Sequence, residues 1–89
     1  MKKATRIRVE VTALDIEEGI PSVSCRCPLA RAIKRATGLR KVWVFGDVVE
    51  FKQYKSAKLP RKCAEFVKAI DIGNWVKPFS FSFKLPEFN

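Results

Sequence analysis

Lys41-Val42-Trp43-Val44-Phe45-Gly46-Asp47-Val48-Val49-Glu50-Phe51-Lys52-Gln53-Tyr54 is the stretch on which the fold turns. Apolar, largely β-branched and aromatic residues on either side of Gly46-Asp47 predict two strands, 41–45 and 48–54, joined by a tight turn. Gly-Asp is a weaker turn signal than Asn-Gly, so one long strand bulged at Gly46 competes with the hairpin. Both alternate sets of the first strand are apolar. The pattern therefore leaves open whether Trp43 with Phe45 or Val42 with Val44 faces outward.

Toward the N-terminus, residues 5–13 alternate Ile7, Val9, Val11 and Ala13 with Arg6, Arg8, Glu10 and Thr12, which predicts a half-buried strand. Residues 15–24, with Gly19 and Pro21, read as a connecting segment carrying the acidic cluster Asp15, Glu17 and Glu18. Pro28 then opens a helix through Thr37, closed by Gly38. Beyond the hairpin come a basic loop at 55–59 and a second helix from Pro60 to about Ile72, ended by Gly73 and Asn74. Phe79–Leu85 alternates aromatic and polar residues as a last strand, stopped by Pro86. The order β-α-β-β-α-β predicts one α+β domain over 1–89, a ferredoxin-like sandwich with a four-stranded antiparallel sheet and both helices on one face. Ile7, Val9, Val11, Val49, Phe51, Phe79, Phe81 and Phe83 are then expected in the core with Leu29, Ile33, Val67 and Ile70.

The charge is localised. Residues 26–62 hold eleven Lys and Arg against Asp47 and Glu50, while the flanks balance seven against seven, so the formal net charge of +9 arises in the centre. Such a block raises the potential at one surface and points to an anionic partner. Two surfaces are candidates. One is Arg26, Arg31, Lys34, Arg35, Arg40 and Lys41 around the first helix, continued by Lys55, Lys58, Arg61 and Lys62 before the second. The other is the open sheet face, where Arg6, Arg8, Lys52 and Tyr54 would surround Trp43 if that ring is exposed. Cations beside aromatic rings suit single-stranded nucleic acid, phosphates on the charges and bases on the rings. The chain lacks the aromatic-rich signature of an RNA recognition motif and any Gly-rich phosphate loop.

Other functions have thinner support. With no histidine and no carboxylate pair outside the 15–18 cluster, the usual acids and bases of catalysis are missing, and no catalytic residue is assigned. Cys25, Cys27 and Cys63 supply three thiols and no imidazole, so neither a metal nor a cofactor is expected. An odd cysteine count suits a reducing compartment. Cys27 precedes Pro28 at a helix start beside Arg26, a setting that would lower a thiol pKa. The longest apolar run, Val42–Phe45, falls far short of the roughly 18 residues needed to span a membrane. No secretory leader pattern follows Lys2 and Lys3, and a cytoplasmic protein is expected.

Ile7-Arg8-Val9-Glu10-Val11-Thr12, Asp15-Ile16 with Gly19, Cys27-Pro28-Leu29-Ala30 with Ala32-Ile33-Lys34-Arg35, Leu59-Pro60, Ala64-Glu65-Phe66-Val67, Asp71-Ile72-Gly73 and Pro78-Phe79 with Phe81 together resemble a group of small tailed-phage and prophage proteins. The resemblance implies a phage accessory protein working in a bacterial host cytoplasm. By analogy such proteins act by binding, among them anti-CRISPR and other anti-defence inhibitors. The leading expectation is engagement of nucleic acid or a host nucleoprotein complex. The alternatives are an inhibitor docking an acidic surface of a host protein and a sponge for signalling nucleotides. Self-association as a homodimer stays open.

Overall fold

The computed structural model describes residues 5–86. In chain order these form β1 (Thr5–Val11), α1 (Ala13–Glu18), α2 (Pro28–Thr37), β2 (Val42–Phe45), β3 (Val48–Phe51), β4 (Ala57–Lys58), α3 (Arg61–Asp71) and β5 (Phe79–Leu85). The hairpin forms as expected, with Phe45 opposite Val48 and Gly46 at φ +62°, a left-handed value that glycine adopts without strain. Its register settles which side of β2 is inside. Val42 opposite Phe51 and Val44 opposite Val49 are buried, whereas Trp43 lies opposite Glu50 on the outer side and Phe45 is exposed.

Among the described residues the expected four-stranded sheet does not form. β1 pairs along its whole length with β5 alone, and β2, β3 and β4 make a separate three-stranded sheet. The cause is local: Gln53 turns the chain at φ +69°, and residues 57–59 return along the edge of β3 that a ferredoxin-like order gives to β1. Val48 pairs with Lys58, Val49 with Ala57, and Leu59 N–H donates to Asp47 O at 2.6 Å. The architecture is mixed α+β with two antiparallel sheets and three helices.

A second correction falls in the connecting segment, where residues 13–18 are a helix. Thr12 and Asp15 cap it reciprocally: Asp15 N–H donates to Thr12 Oγ1 at 3.2 Å and Thr12 N–H to Asp15 Oδ2 at 2.9 Å. Ala13, expected at the end of the first strand, is its first residue. At Gly19 a side chain would meet the Pro28 backbone nitrogen at 2.5 Å, so the small residue lets α1 close onto the start of α2. Gly38 takes the left-handed conformation past α2, and its N–H donates to Lys34 O.

The core joins both sheets. Val9, Val11, Leu29, Ile33, Val42, Val49 and Cys63 are fully buried, with Phe51, Phe66, Ile70, Phe81 and Phe83 close behind. Ile7, Val67 and Phe79 pack partly buried against them. Aromatic rings run through this core from Phe66 to Phe79 (4.9 Å between centroids), then Phe81, Phe83, Phe51 and Tyr54. The near-parallel Phe51–Phe83 pair ties the two sheets together where no backbone ladder does.

Candidate nucleic-acid interface

Antiparallel pairing of β1 with β5 sets Arg6 directly opposite Lys84 on the exposed side. Like charges facing each other across two strands repel, by roughly 0.2–1 kcal/mol, unless an anion lies between them. Neither has an ion-pair partner among the described residues. Both line an open groove of about 580 Å³ between β4 and β5, together with Ser56, Lys58 and Ser82. Lys58 approaches Asp47 at 3.6 Å, but both side chains are well exposed, so the pair is weak and the ammonium is available. The arrangement presents three cations and two hydroxyls to one concave surface. Its floor is apolar, from Leu59, Phe83 and Leu85.

The basic face of α2 is used differently. Asp15, fully buried, receives Arg35 Nη1 on Oδ1 at 2.8 Å and Nη2 on Oδ2 at 2.7 Å, a bidentate pair, and the same Nη2 reaches Glu10 O at 2.7 Å. Arg31 stands beside it, with Nε 3.5 Å from Asp15 Oδ1 and Nη2 donating to Glu18 Oε1 at 3.3 Å. Lys34 donates to Cys25 O. Burial pushes the Asp15 carboxyl up, but the Arg35 guanidinium and the Thr12 donors outweigh it and hold the group at about 2, below its ordinary 3.8. Arg35 is raised in turn, chiefly by its hydrogen bond to Asp15. Three cations of this surface thus bind α1 and the 20s loop to α2. Arg26, Arg31, Lys34 and Arg35 still line an open concavity of about 480 Å³ with Glu18 and Cys25.

The remaining candidates are dispersed. Arg40 and Lys41 are exposed beyond α2, Arg61 lies 3.6 Å from Glu65 within α3, and Lys62 sits over the Phe79 ring at 5.9 Å. Lys55 is exposed and has an interaction partner of its own. On the second surface, Arg8 donates to Ser80 Oγ at 3.2 Å, Lys52 is exposed at the end of the hairpin, and Tyr54 packs edge-on against Phe51. Because β1 pairs only with β5, no ladder carries Trp43 alongside Arg6 and Arg8, and the single aromatic-basic face expected of a continuous sheet is absent. Arg6 and Lys58, one from each expected surface, instead meet in the groove. Lys84, Ser56 and Ser82 complete it. Alternation along Phe79–Leu85 put Lys84 and Ser82 on the outer side, but only the β4 reversal reveals what they face.

Two of the three cysteines, Cys27 and Cys63, are buried. Cys27 is the N-cap of α2, its Sγ accepting from Ala30 N–H at 3.4 Å, yet burial pushes its thiol up rather than down. That overturns the lowered pKa expected from its sequence position. Burial likewise pushes Cys63 up to about 12. Among the described residues no group of His, Cys, Asp and Glu is arranged to hold a metal, and no helix is long and apolar enough to cross a membrane. In comparisons with known proteins, no family model, no curated protein and no solved structure matches the chain.

Proposed function

We propose that this chain is a non-enzymatic binding protein that engages nucleic acid, alone or within a host nucleoprotein complex, through the groove between β4 and β5. The observation that carries the reading is the Arg6–Lys84 pair: two cations held face to face by strand register, with Lys58 across the groove and no carboxylate bound to either among the described residues. A bridging phosphate relieves their repulsion, and Ser56 and Ser82 offer hydroxyl donors beside it. Phosphate contact is electrostatic and independent of sequence, so affinity should follow oligonucleotide length and fall steeply with salt. The tailed-phage resemblance supplies the setting, an accessory protein acting against a host defence system in the bacterial cytoplasm.

The test is fluorescence anisotropy with labelled single- and double-stranded DNA and RNA over a salt series. Three neutralised phosphates on a single strand correspond to a log–log slope of about −2. Arg6→Glu and Lys84→Glu should each lower affinity and flatten that slope. No binding at near-physiological salt, or reversal variants that bind as the wild type does, would sink the proposal. A labelled cyclic dinucleotide that saturates as tightly as a long oligonucleotide would replace it with a nucleotide sponge.

One observation favours a second reading, docking of a host protein. A groove of about 290 Å³ lined by Val23, Val44, Phe45 and Val67, with Ser22, Ser24 and Asp71 beside them, offers mixed apolar and polar surface that phosphates do not use.

A further inference from the structure

We propose that Trp75 is a base-stacking platform, and hence that the nucleic acid taken by this protein is single-stranded; the inference rests on the groove reading above. At 82% exposure Trp75 is the most exposed large hydrophobic residue among those described. An open aromatic ring is the element on which the bases of a single strand stack, whatever their sequence.

The backbone around Trp75 is fixed. Gly73, at φ +82°, donates its N–H to Ile70 O at 3.0 Å, and Asn74 N–H donates to Ala69 O at 2.8 Å, closing the end of α3 immediately before the ring. Val76, immediately after it, packs partly buried against the core. The indole is therefore held out between two anchored neighbours, with no aromatic partner among the described residues.

The outer side of β5, which begins four residues after Trp75 and ends at the groove, has the chemistry of a strand track. From Pro78 to Lys84, about 20 Å at ~3.3 Å per residue, the outer side of β5 presents Ser80, Ser82 and Lys84. Across from them on β1 stand Glu10, Arg8 and Arg6. Glu10 is the one described carboxylate on this face, and it lies at the β1 side, opposite Ser80. A chain of phosphates following β5 meets hydroxyls and cations, and its bases reach the indole at the far end. The interior of a duplex cannot make the last contact, because its base faces are already stacked on each other. A protein partner would need a broad apolar rim around the ring, whereas only Ile72 among the exposed large hydrophobics lies near Trp75 in sequence and the exposed Asn74 and Lys77 flank the indole.

The experiment uses the full chain carrying Trp43→Phe, so that indole emission reports Trp75 alone, titrated with a dodecamer of deoxythymidine, a duplex of equal length and a dithymidine. Anisotropy of labelled oligonucleotides is followed in parallel. The dodecamer should quench Trp75 emission in step with its anisotropy change, while the duplex and the dithymidine leave emission unchanged. Trp75→Ala should weaken dodecamer binding about 10- to 100-fold with the salt slope intact, since a stack carries no charge. Dodecamer binding without quenching, and undiminished in Trp75→Ala, would overturn the platform while leaving the groove standing. Quenching by the duplex equal to that by the single strand would overturn the single-strand assignment. No anisotropy change with any oligonucleotide would overturn the groove reading and this inference together.

Discussion

Replacing Asp15 with Asn should destabilise the fold by about 2 kcal/mol at neutral pH. The carboxyl is fully buried and is held from 3.8 down to about 2, against its own desolvation, by the bidentate Arg35 pair and by Thr12. At ~1.4 kcal/mol per decade of proton affinity that depression is worth about 2 kcal/mol. In a domain of this size such a loss lowers the melting temperature by about 8–15 °C. Because the folded-state pKa lies below the unfolded one, the contribution is complete above about pH 4 and fades as pH falls through about 2. Urea denaturation of wild type and Asp15→Asn across pH 7 to 2 should therefore show a gap that is constant at first and closes in acid. Arg35→Met should cost at least as much as Asp15→Asn. The half-exposed guanidinium can turn to solvent when its partner is lost, whereas the buried carboxylate cannot. Equal stability of wild type and Asp15→Asn at pH 7, or a gap that persists unchanged to pH 2, would refute this account of how α1 is held to α2.

Gly19→Ala should lose about 1–3 kcal/mol, because its Cβ would lie 2.5 Å from the Pro28 nitrogen and 2.7 Å from Asp15 O; a melting temperature within 2 °C of wild type would show that the α1–α2 junction gives way easily. Native protein treated with a thiol reagent near pH 8 should modify at most one cysteine quickly, since Cys27 and Cys63 are buried with raised pKa values and Cys25 is only half-buried; two fast thiols would contradict that burial. The β2–β3 register is checked by Val44→Lys, which should cost several kcal/mol or abolish folding, against Phe45→Lys, which should be nearly neutral; the reverse ranking would mean the strand presents its other side.

Much of the element order was legible because the signals are periodic and punctuated. The alternation at 7, 9 and 11, the Phe79–Leu85 stripe, Pro28 with Gly38, and Gly46-Asp47 each mark an element that forms. Helix α1 was missed although Thr12 and Asp15 stand at capping-box spacing. Six residues are too few for a helical period to declare itself, and the nearby Gly19 and Pro21 read as loop. The division into two sheets had no such signal. It depends on Gln53 adopting a left-handed conformation that glutamine does not advertise, and on the two-residue strand β4, too short to alternate. Once β4 takes the edge of β3, the Trp43 face and the Arg6–Arg8 face can no longer be one surface.

The same limit governs the charges. A count along the chain makes every lysine and arginine of residues 26–62 equally available, the three on α2 included. Folding discriminates by burial. A carboxylate with no solvent exposure must be compensated, and Asp15, twenty positions before Arg35 in sequence, claims that residue outright and draws on Arg31 as well. Among the described residues, Arg6, Lys58 and Lys84 face no such claimant, since the strand neighbours of Arg6 and Lys84 are each other, and the Asp47 carboxylate near Lys58 is exposed. On the proposed reading, net charge points to the sign of the partner, while the surface offered to it is left to cations that the buried carboxylate does not require. Here those cations come from three separate stretches of chain. They converge only because β5 runs between β1 on one side and the returning 56–60 segment on the other.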